Sequence, residues 1–357
     1  MRNAFILSLS FDDKNITLEQ VYTTIKTLCS PKERDIDLVV LPEYWDSEFP
    51  KYENENDNDN DNDNENDNDN ENDNDNDNDN DNENDNINNI LAYIAREHDI
   101  YILSPRYIKC DVDEYKYNAR NKKGKKNVAQ LFDRSGVIVY QFEKSYPFWT
   151  EVDTYIPENY KDDFYDTDFG RIGVNICFDA NFSLSWERNM MKYVDIVLWP
   201  SAYNGGRTLS ALSSLYHFNI VTATKSGAVD GWDNVGDRLY GEVMETPSNI
   251  NSKLFTIDID ATVFHYDFNK TFLQKFYKEN DWVQINKDLP DEKWFVLSST
   301  NIHFRIREEC KKYGLVHIQR YLKLSDELII NKIKTNIDIN DLNERIGDKF
   351  VRLNENV

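Results

Sequence analysis

An α/β layered domain, with helices covering the faces of its sheets, is what this sequence predicts. Two observations predict it. Short apolar runs of strand length alternate with segments of helical spacing over residues 4 to 260, and hairpin-type turns punctuate the alternation. With 39% hydrophobic and 13% aromatic residues in a chain of 357, there is enough apolar surface to bury a sizeable core.

Ala4 to Phe11 is apolar and extended and reads as the first strand. Met1-Arg2-Asn3 before it gives the N-terminus a leader-like look, but the apolar stretch is short and runs into Asp12, Asp13 and Lys14. Leu18 to Cys29 has helical spacing, and Asp37 to Leu41 is a short run of the kind that fills a fully covered strand. Ile87 to Glu97 reads as a helix with Ile90, Leu91, Ile94 and Ala95 on one face, followed by a strand at Ile100 to Ser104. Val128 to Phe132 and Val137 to Phe142, joined through Asp133-Arg134-Ser135-Gly136, read as a hairpin. Further strands are expected at Arg171 to Cys177, Asp195 to Trp199, Asn219 to Thr224 and Lys253 to Ile259, and helices at Phe182 to Tyr193 and Leu209 to His217.

After about Ala261 the texture changes. Residues 262 to 300 are aromatic and irregular, and 301 to 357 look helical, with Leu322, Leu324, Leu328, Ile329, Ile330 and Ile333 in one stretch. The expected organisation is a main domain over residues 1–261 and a mostly helical extension over 262–357, packed on the body or on a second subunit.

Residues 53 to 86 interrupt the main domain. They alternate an acid with Asn, 17 acids in 34 positions, and contain no apolar residue. Such a tract cannot collapse and is expected to be a disordered loop insertion, tolerated because closure entropy grows only logarithmically with length. It resembles a calcium loop in composition alone, since it lacks the glycine such a loop needs at its sixth position. The tract carries most of the formal charge of −24, leaving 41 basic residues against 48 acids elsewhere.

That balance disfavours nucleic acid and anionic membrane as partners, because both need a basic patch. The basic run Lys122 to Lys126, broken by Gly124, reads as a solvated loop between strands. No window approaches the roughly 18 apolar residues that span a bilayer. Cys29, Cys110, Cys177 and Cys310 are too scattered for a disulfide scaffold or a zinc site, and a reducing, cytoplasmic setting is expected. The five histidines show no paired metal spacing, and neither a P-loop nor GxGxxG is present. His217 closes a helix near the expected site and is a candidate pocket residue.

Three polar residues stand at the ends of apolar runs, where a strand delivers a side chain to a sheet edge: Glu43, Lys144 and Cys177. Taken singly they read as a loop acid, a surface cation and a small core residue. Together they supply a base, a cation and a nucleophile, a complete kit for acyl transfer.

The blocks around them are Leu41-Pro42-Glu43, Phe142-Glu143-Lys144 with Glu151 seven residues on, and Gly170 to Asp179 containing Ile176-Cys177-Phe178-Asp179. In that order they resemble the Glu-Lys-Cys motifs of the nitrilase, or carbon-nitrogen hydrolase, superfamily. Without the insert the first two residues are 67 positions apart and the last two 33, both comfortable for that family. Asp195 to Ala202, Lys225-Ser226-Gly227 and Gly241 look similar too. The resemblance covers roughly residues 4 to 260.

The resemblance implies a four-layer αββα sandwich, usually a homodimer or higher homo-oligomer, that hydrolyses non-peptide carbon–nitrogen bonds with no metal or organic cofactor. Cys177 would attack, Glu43 would move the proton, and Lys144 with the backbone N–H of Phe178 would stabilise the developing negative charge. Glu151 matches a second glutamate that orients the lysine or the substrate. Aromatic residues flank the blocks, and Phe178, Trp149 and Tyr203 are the candidate substrate contacts.

Nitrile-specific members often follow the cysteine with Trp-Glu, whereas Phe178-Asp179 stand here, closer to amidase and carbamoyl-hydrolysing branches. A small amide or carbamoyl substrate is therefore expected ahead of a nitrile, with water as acceptor. The Arg that often follows in those branches is replaced by Ala180-Asn181. The alternatives are nitrile hydrolysis or acyl transfer to an amine on the same residues, and a catalytically idle binding or scaffold protein.

Overall fold

The computed structural model describes residues 2–11, 16–30, 35–46, 78–110, 124–151, 164–247 and 249–335. Chain order begins β1 (Asn3–Phe11), α1 (Leu18–Cys29), β2 (Leu38–Val40), α2 (Asn78–His98), β3 (Tyr101–Cys110), β4 (Gly124–Phe132) and β5 (Ile138–Glu143). It continues with β6 (Phe164–Asp166), β7 (Arg171–Val174), α3 (Ser183–Met191), β8 (Ile196–Ser201), α4 (Arg207–Tyr216), β9 (Asn219–Thr224), β10 (Gly231–Trp232), β11 (Glu242–Val243) and β12 (Ile250–Asp258).

Two sheets form. One has seven strands in the order β11-β12-β1-β2-β3-β4-β5, the other five in the order β10-β9-β8-β7-β6. β1, β2 and β3 run parallel, as do β7, β8 and β9, with a helix in each crossover.

Side-chain alternation along β1 explains the layering. Ala4 and Ile6 join an apolar cluster that also holds Leu198, Val221 and Ala223, so this face meets the second sheet. Leu7, Leu9 and Phe11 point the other way, into a cluster with Val21, Ile25 and Leu28 of α1 and Leu91, Ile94 and Ala95 of α2. On the far side of the second sheet, Val197, Trp199 and Ile220 pack with Trp186 of α3 and Leu209 of α4. The result is helix, sheet, sheet, helix. Ser8 and Ser10 share the inner face and donate their hydroxyls to the carbonyls of Thr222 and Thr224, a polar seam between the sheets.

α2 departs from expectation by running back to Asn78, so the last nine residues of the acidic tract are helical rather than disordered. A helix nucleated on the apolar face of Leu91, Ile94 and Ala95 extends at the gain of one bond per residue. The rest of the tract lies outside the described residues. The basic run is also corrected in part: Lys125 and Lys126 belong to β4, Lys125 over the Tyr107 ring at 4.2 Å and Lys126 3.7 Å from Glu143. Lys122 lies outside the described residues.

The region after 261 carries the expected helices, but residues 262–300 are not irregular. β13 (Thr262–His265), α5 (Tyr266–Glu279), β14 (Val283–Leu289) and β15 (Trp294–Ser299) build a three-stranded antiparallel sheet, β13-β15-β14, with a helix on it. α6 (Ile306–Glu309) and α7 (Ile318–Thr335) follow. The aromatic residues that make 262–300 look irregular are its core: Phe264, Phe276 and Phe295 pack with Leu297, Ile306 and Leu315. Gln319 donates to the carbonyls of Tyr216 and His217, and Arg307 lies 3.0 Å from Asp195, so this unit is tied to α4 and the start of β8. The expected helicity of 336–357 lies outside the described residues.

Candidate active site

Inner-face alternation delivers the site. Leu103, Ala129 and Phe142 belong to the apolar cluster between the sheets. Stepping along β3 by four residues and along β4 and β5 by two gives Tyr107, Asn127 and Lys144 on the same face. Tyr107 and Asn127 are paired in the ladder, and the Lys144 N–H donates to the Asn127 carbonyl at 2.9 Å. One row across the sheet thus changes from apolar to polar at the end of the sandwich.

Glu43 follows β2 and has no exposed surface. Lys144 Nζ lies 2.8 Å from Glu43 Oε1 and 2.6 Å from Glu151 Oε2, bridging the two carboxylates inside the protein. Asn127 Nδ2 donates to Glu43 Oε1 and Glu151 Oε1, each at 3.0 Å. Burial lowers the proton affinity of Lys144, but the charges of Glu43, Cys177 and Glu151 outweigh it and hold the ammonium protonated beyond the ordinary lysine range.

The two glutamates differ. Glu151 Oε1 accepts from Tyr44, from Tyr107 at 2.7 Å and from Asn127, while Oε2 accepts from Lys144 and from the Phe148 N–H at 2.5 Å. Burial pushes this carboxyl up, yet Lys144 and these donors prevail and leave it at about 2. It stays ionised and has no oxygen to spare. Glu43, by contrast, keeps Oε2 buried without a hydrogen-bond partner. An unpaired buried carboxylate oxygen is poised to take a proton.

Cys177 opens a 3-10 turn, Cys177–Asn181, rather than closing the strand as expected. Its φ is +47°, in the left-handed region that a cysteine seldom adopts, and Tyr44, just after Glu43, has φ +55°. Both segments leave their sheet through such a residue. The surroundings impose it at Cys177. Asp179 accepts from Ile176 N–H and Tyr146 N–H, each at 2.8 Å, and Trp199 Nε1 donates to the Cys177 carbonyl at 3.1 Å. Burial and the Glu43 charge push the Cys177 thiol up to about 12 against the pull of Lys144, the Ser201 hydroxyl and the Ala202 N–H. The resting sulfur is a thiol.

All four residues expected to carry chemistry therefore meet, and each is buried. Of the candidate substrate contacts, Phe178 is half-buried and edge-on to Phe148 at 5.1 Å. Tyr203 is 41% exposed and edge-on to Trp199, and its phenol is perturbed upward by burial and then by Cys177. Trp149 is 75% exposed, its ring 5.6 Å from Phe148, and makes the least of the three. His217 packs edge-on to Trp294 with Nδ1 3.2 Å from the Asn234 carbonyl, on the extension side.

Sequence reasoning missed Asn127, Tyr107, Asp179 and Ser201. The signal for the first two was phase. A polar residue two positions before Ala129 and another four after Leu103 continue the inner face toward Lys144. Among the described residues, no group of three or more His, Cys, Asp or Glu is placed to hold a metal ion. No helix among them is long and apolar enough to cross a membrane.

No curated protein matches the chain significantly. Among solved structures it is similar to an amidase from Nesterenkonia sp., with 14% identity, 71% of this chain and 90% of that chain covered, and a TM-score of 0.49. It is also similar to Saccharomyces cerevisiae Nit3, a member of branch 10 of the nitrilase superfamily, with 15% identity, 78% and 94% coverage and a TM-score of 0.48. The model of the carbon-nitrogen hydrolase family matches residues 8–229, most of the chain and all of the residues that form the site. With the Glu43, Lys144 and Cys177 blocks inside that match, the chain belongs to the carbon-nitrogen hydrolase family.

Proposed function

We propose that this chain hydrolyses the carbon–nitrogen bond of a small amide or carbamoyl compound through a thioester on Cys177. The observation that carries the reading is the asymmetry of the two glutamates, one saturated by donors and the other with a free buried oxygen beside a protonated thiol and a locked ammonium.

Because the thiol is neutral at rest, attack and deprotonation are coupled. Cys177 Sγ bonds to the carbonyl carbon as Glu43 takes its proton, and charge moves to the carbonyl oxygen, where Lys144 and the Phe178 N–H stabilise it. The C–N bond then breaks, the amine leaves with the proton from Glu43, and the acyl group remains on sulfur. Water, deprotonated by Glu43, attacks the thioester and releases the acid and the thiol. Glu151 is an electrostatic anchor for Lys144 and exchanges no proton. Phe178-Asp179 after the nucleophile favours an amide or carbamoyl substrate over a nitrile.

Ammonia release and intact mass across a panel of small amides, carbamoyl compounds and nitriles, wild type beside Cys177→Ala, tests this. Ammonia and an acyl adduct on the wild type alone are expected. Turnover retained by Cys177→Ala would overturn the mechanism.

A further inference from the structure

Tyr107 lies outside the Glu-Lys-Cys motifs, yet its phenol reaches the centre of the site. It sits on β3 opposite Asn127 of β4, so its side chain shares the inner face with Asn127 and Lys144. The hydroxyl is 2.7 Å from Glu151 Oε1 and 2.5 Å from the Tyr44 hydroxyl. Its ring stacks on Tyr44, centroids 4.7 Å apart at 25°, and the Lys125 ammonium lies 4.2 Å from its centroid. A cation on a phenol ring face draws electron density from it and makes the O–H a better donor. Burial holds Tyr107 as the neutral phenol, so it donates across the working pH range.

Five donors converge on Glu151, more than the roughly four lone-pair sites a carboxylate offers. The carboxylate can turn only by breaking several bonds at once. Its Oε2 is what holds Lys144 on the side away from Glu43. We infer that Tyr107 is a positioning residue: by fixing Glu151 it fixes Lys144 midway between the carboxylates, where the ammonium serves both the sulfur and the substrate oxygen. Without the phenol, Glu151 draws Lys144 toward itself and away from Cys177. This rests on the proposed Cys177 chemistry, so the test has one arm that needs turnover and one that does not.

The full chain carrying Tyr107→Phe keeps the ring stack and the cation contact and loses only the hydroxyl. In the first arm kcat falls about 10- to 100-fold on the amide that the wild type turns over, as when a group orienting a reacting side chain is lost, with KM within about threefold. In the second arm Cys177 alkylation by iodoacetamide, followed by intact mass from pH 5 to 9 with Cys177→Ala as the blank, slows at least about threefold at pH 7 because the thiolate has lost its cation. A Tyr107→Phe alkylation profile that overlays the wild type overturns the proposal, whether or not a substrate has been found. So does a raised KM with unchanged kcat, which makes Tyr107 a substrate contact. If the wild type turns nothing over, the hydrolase reading fails by itself and the alkylation arm still decides the role of Tyr107.

Discussion

Asp179 Oδ1 accepts the backbone N–H of Tyr146 at 2.8 Å, a contact that, with the Phe148–Phe178 ring pair at 5.1 Å, ties the turn that begins at Cys177 to the loop that begins at Lys144. The other oxygen of Asp179 accepts the N–H of Ile176, just before Cys177. One buried carboxyl therefore sets the distance between two segments that arrive from different sheets.

Asp179→Ala orphans both N–H groups and is expected to destabilise the fold by about 2–4 kcal/mol, with Asp179→Asn losing less because it keeps one acceptor. Urea unfolding reads the order. Burial pushes Asp179 up to about 7, above its ordinary 3.8, so its contribution is complete below about 3.8 and is lost as pH rises through 7. Asp179→Asn cannot ionise, and its stability should be flatter than the wild type's between pH 4 and 8. Parallel curves would mean that Asp179 does not titrate there.

Glu43→Gln is expected to lower kcat by about 10²–10⁴ through loss of the proton acceptor. Its thiol should become easier to ionise, because the Glu43 charge that helps push Cys177 up to about 12 has gone. Turnover and iodoacetamide reactivity should therefore move in opposite directions. A parallel loss of both would remove Glu43 as the base.

Cys177→Ala is expected to end turnover. Because φ is +47° at this position, Cys177→Gly should be more stable than Cys177→Ala by about 1 kcal/mol, the usual relief of left-handed strain. Thermal unfolding of the two variants side by side measures it, and an Ala variant as stable as the Gly variant contradicts the strained elbow.

Lys144→Met leaves two buried carboxylates without their cation, at a cost of about 3–5 kcal/mol near neutral pH. In the wild type Glu151 is held at about 2, below its ordinary 4.5, so its contribution is present above 4.5 and lost as pH falls toward 2. In the variant Glu151 keeps its other donors but loses the cation that does most to offset its burial, so its carboxyl moves up and acidification from pH 7 to 5 should stabilise. Opposite slopes in the two proteins are the expected signature, read by chemical denaturation across pH.

The layers of the main domain were legible because their strands and helices keep strict periods, as β1 and α1 show, each recovered to within a residue. Glu43, Lys144 and Cys177 were legible because each ends an apolar run. The sheet after Thr262 was hidden because its core is aromatic and its strand β14 buries little beyond Val283, so no alternation is visible. The left-handed turns at Tyr44 and Cys177 were hidden for another reason: neither position carries a glycine, and tertiary hydrogen bonds impose the conformation. Phase alone places Tyr107 and Asn127 on the inner face, but that they pair beside Lys144 needed the register between β3 and β4, which a single sequence does not display.

Two residues past Glu43, Trp45 is buried with its indole N–H on the Ser104 hydroxyl at 3.0 Å, before the chain enters residues 47–77. On the return side, α2 is seated by Leu91, Ile94 and Ala95. Glu43 is therefore separated from the start of 47–77 by a buried, hydrogen-bonded indole. A change in the length of the Asn/Asp run adds only a logarithmic closure cost, and a firm anchor on each side is what such a run of repeats needs in order to vary.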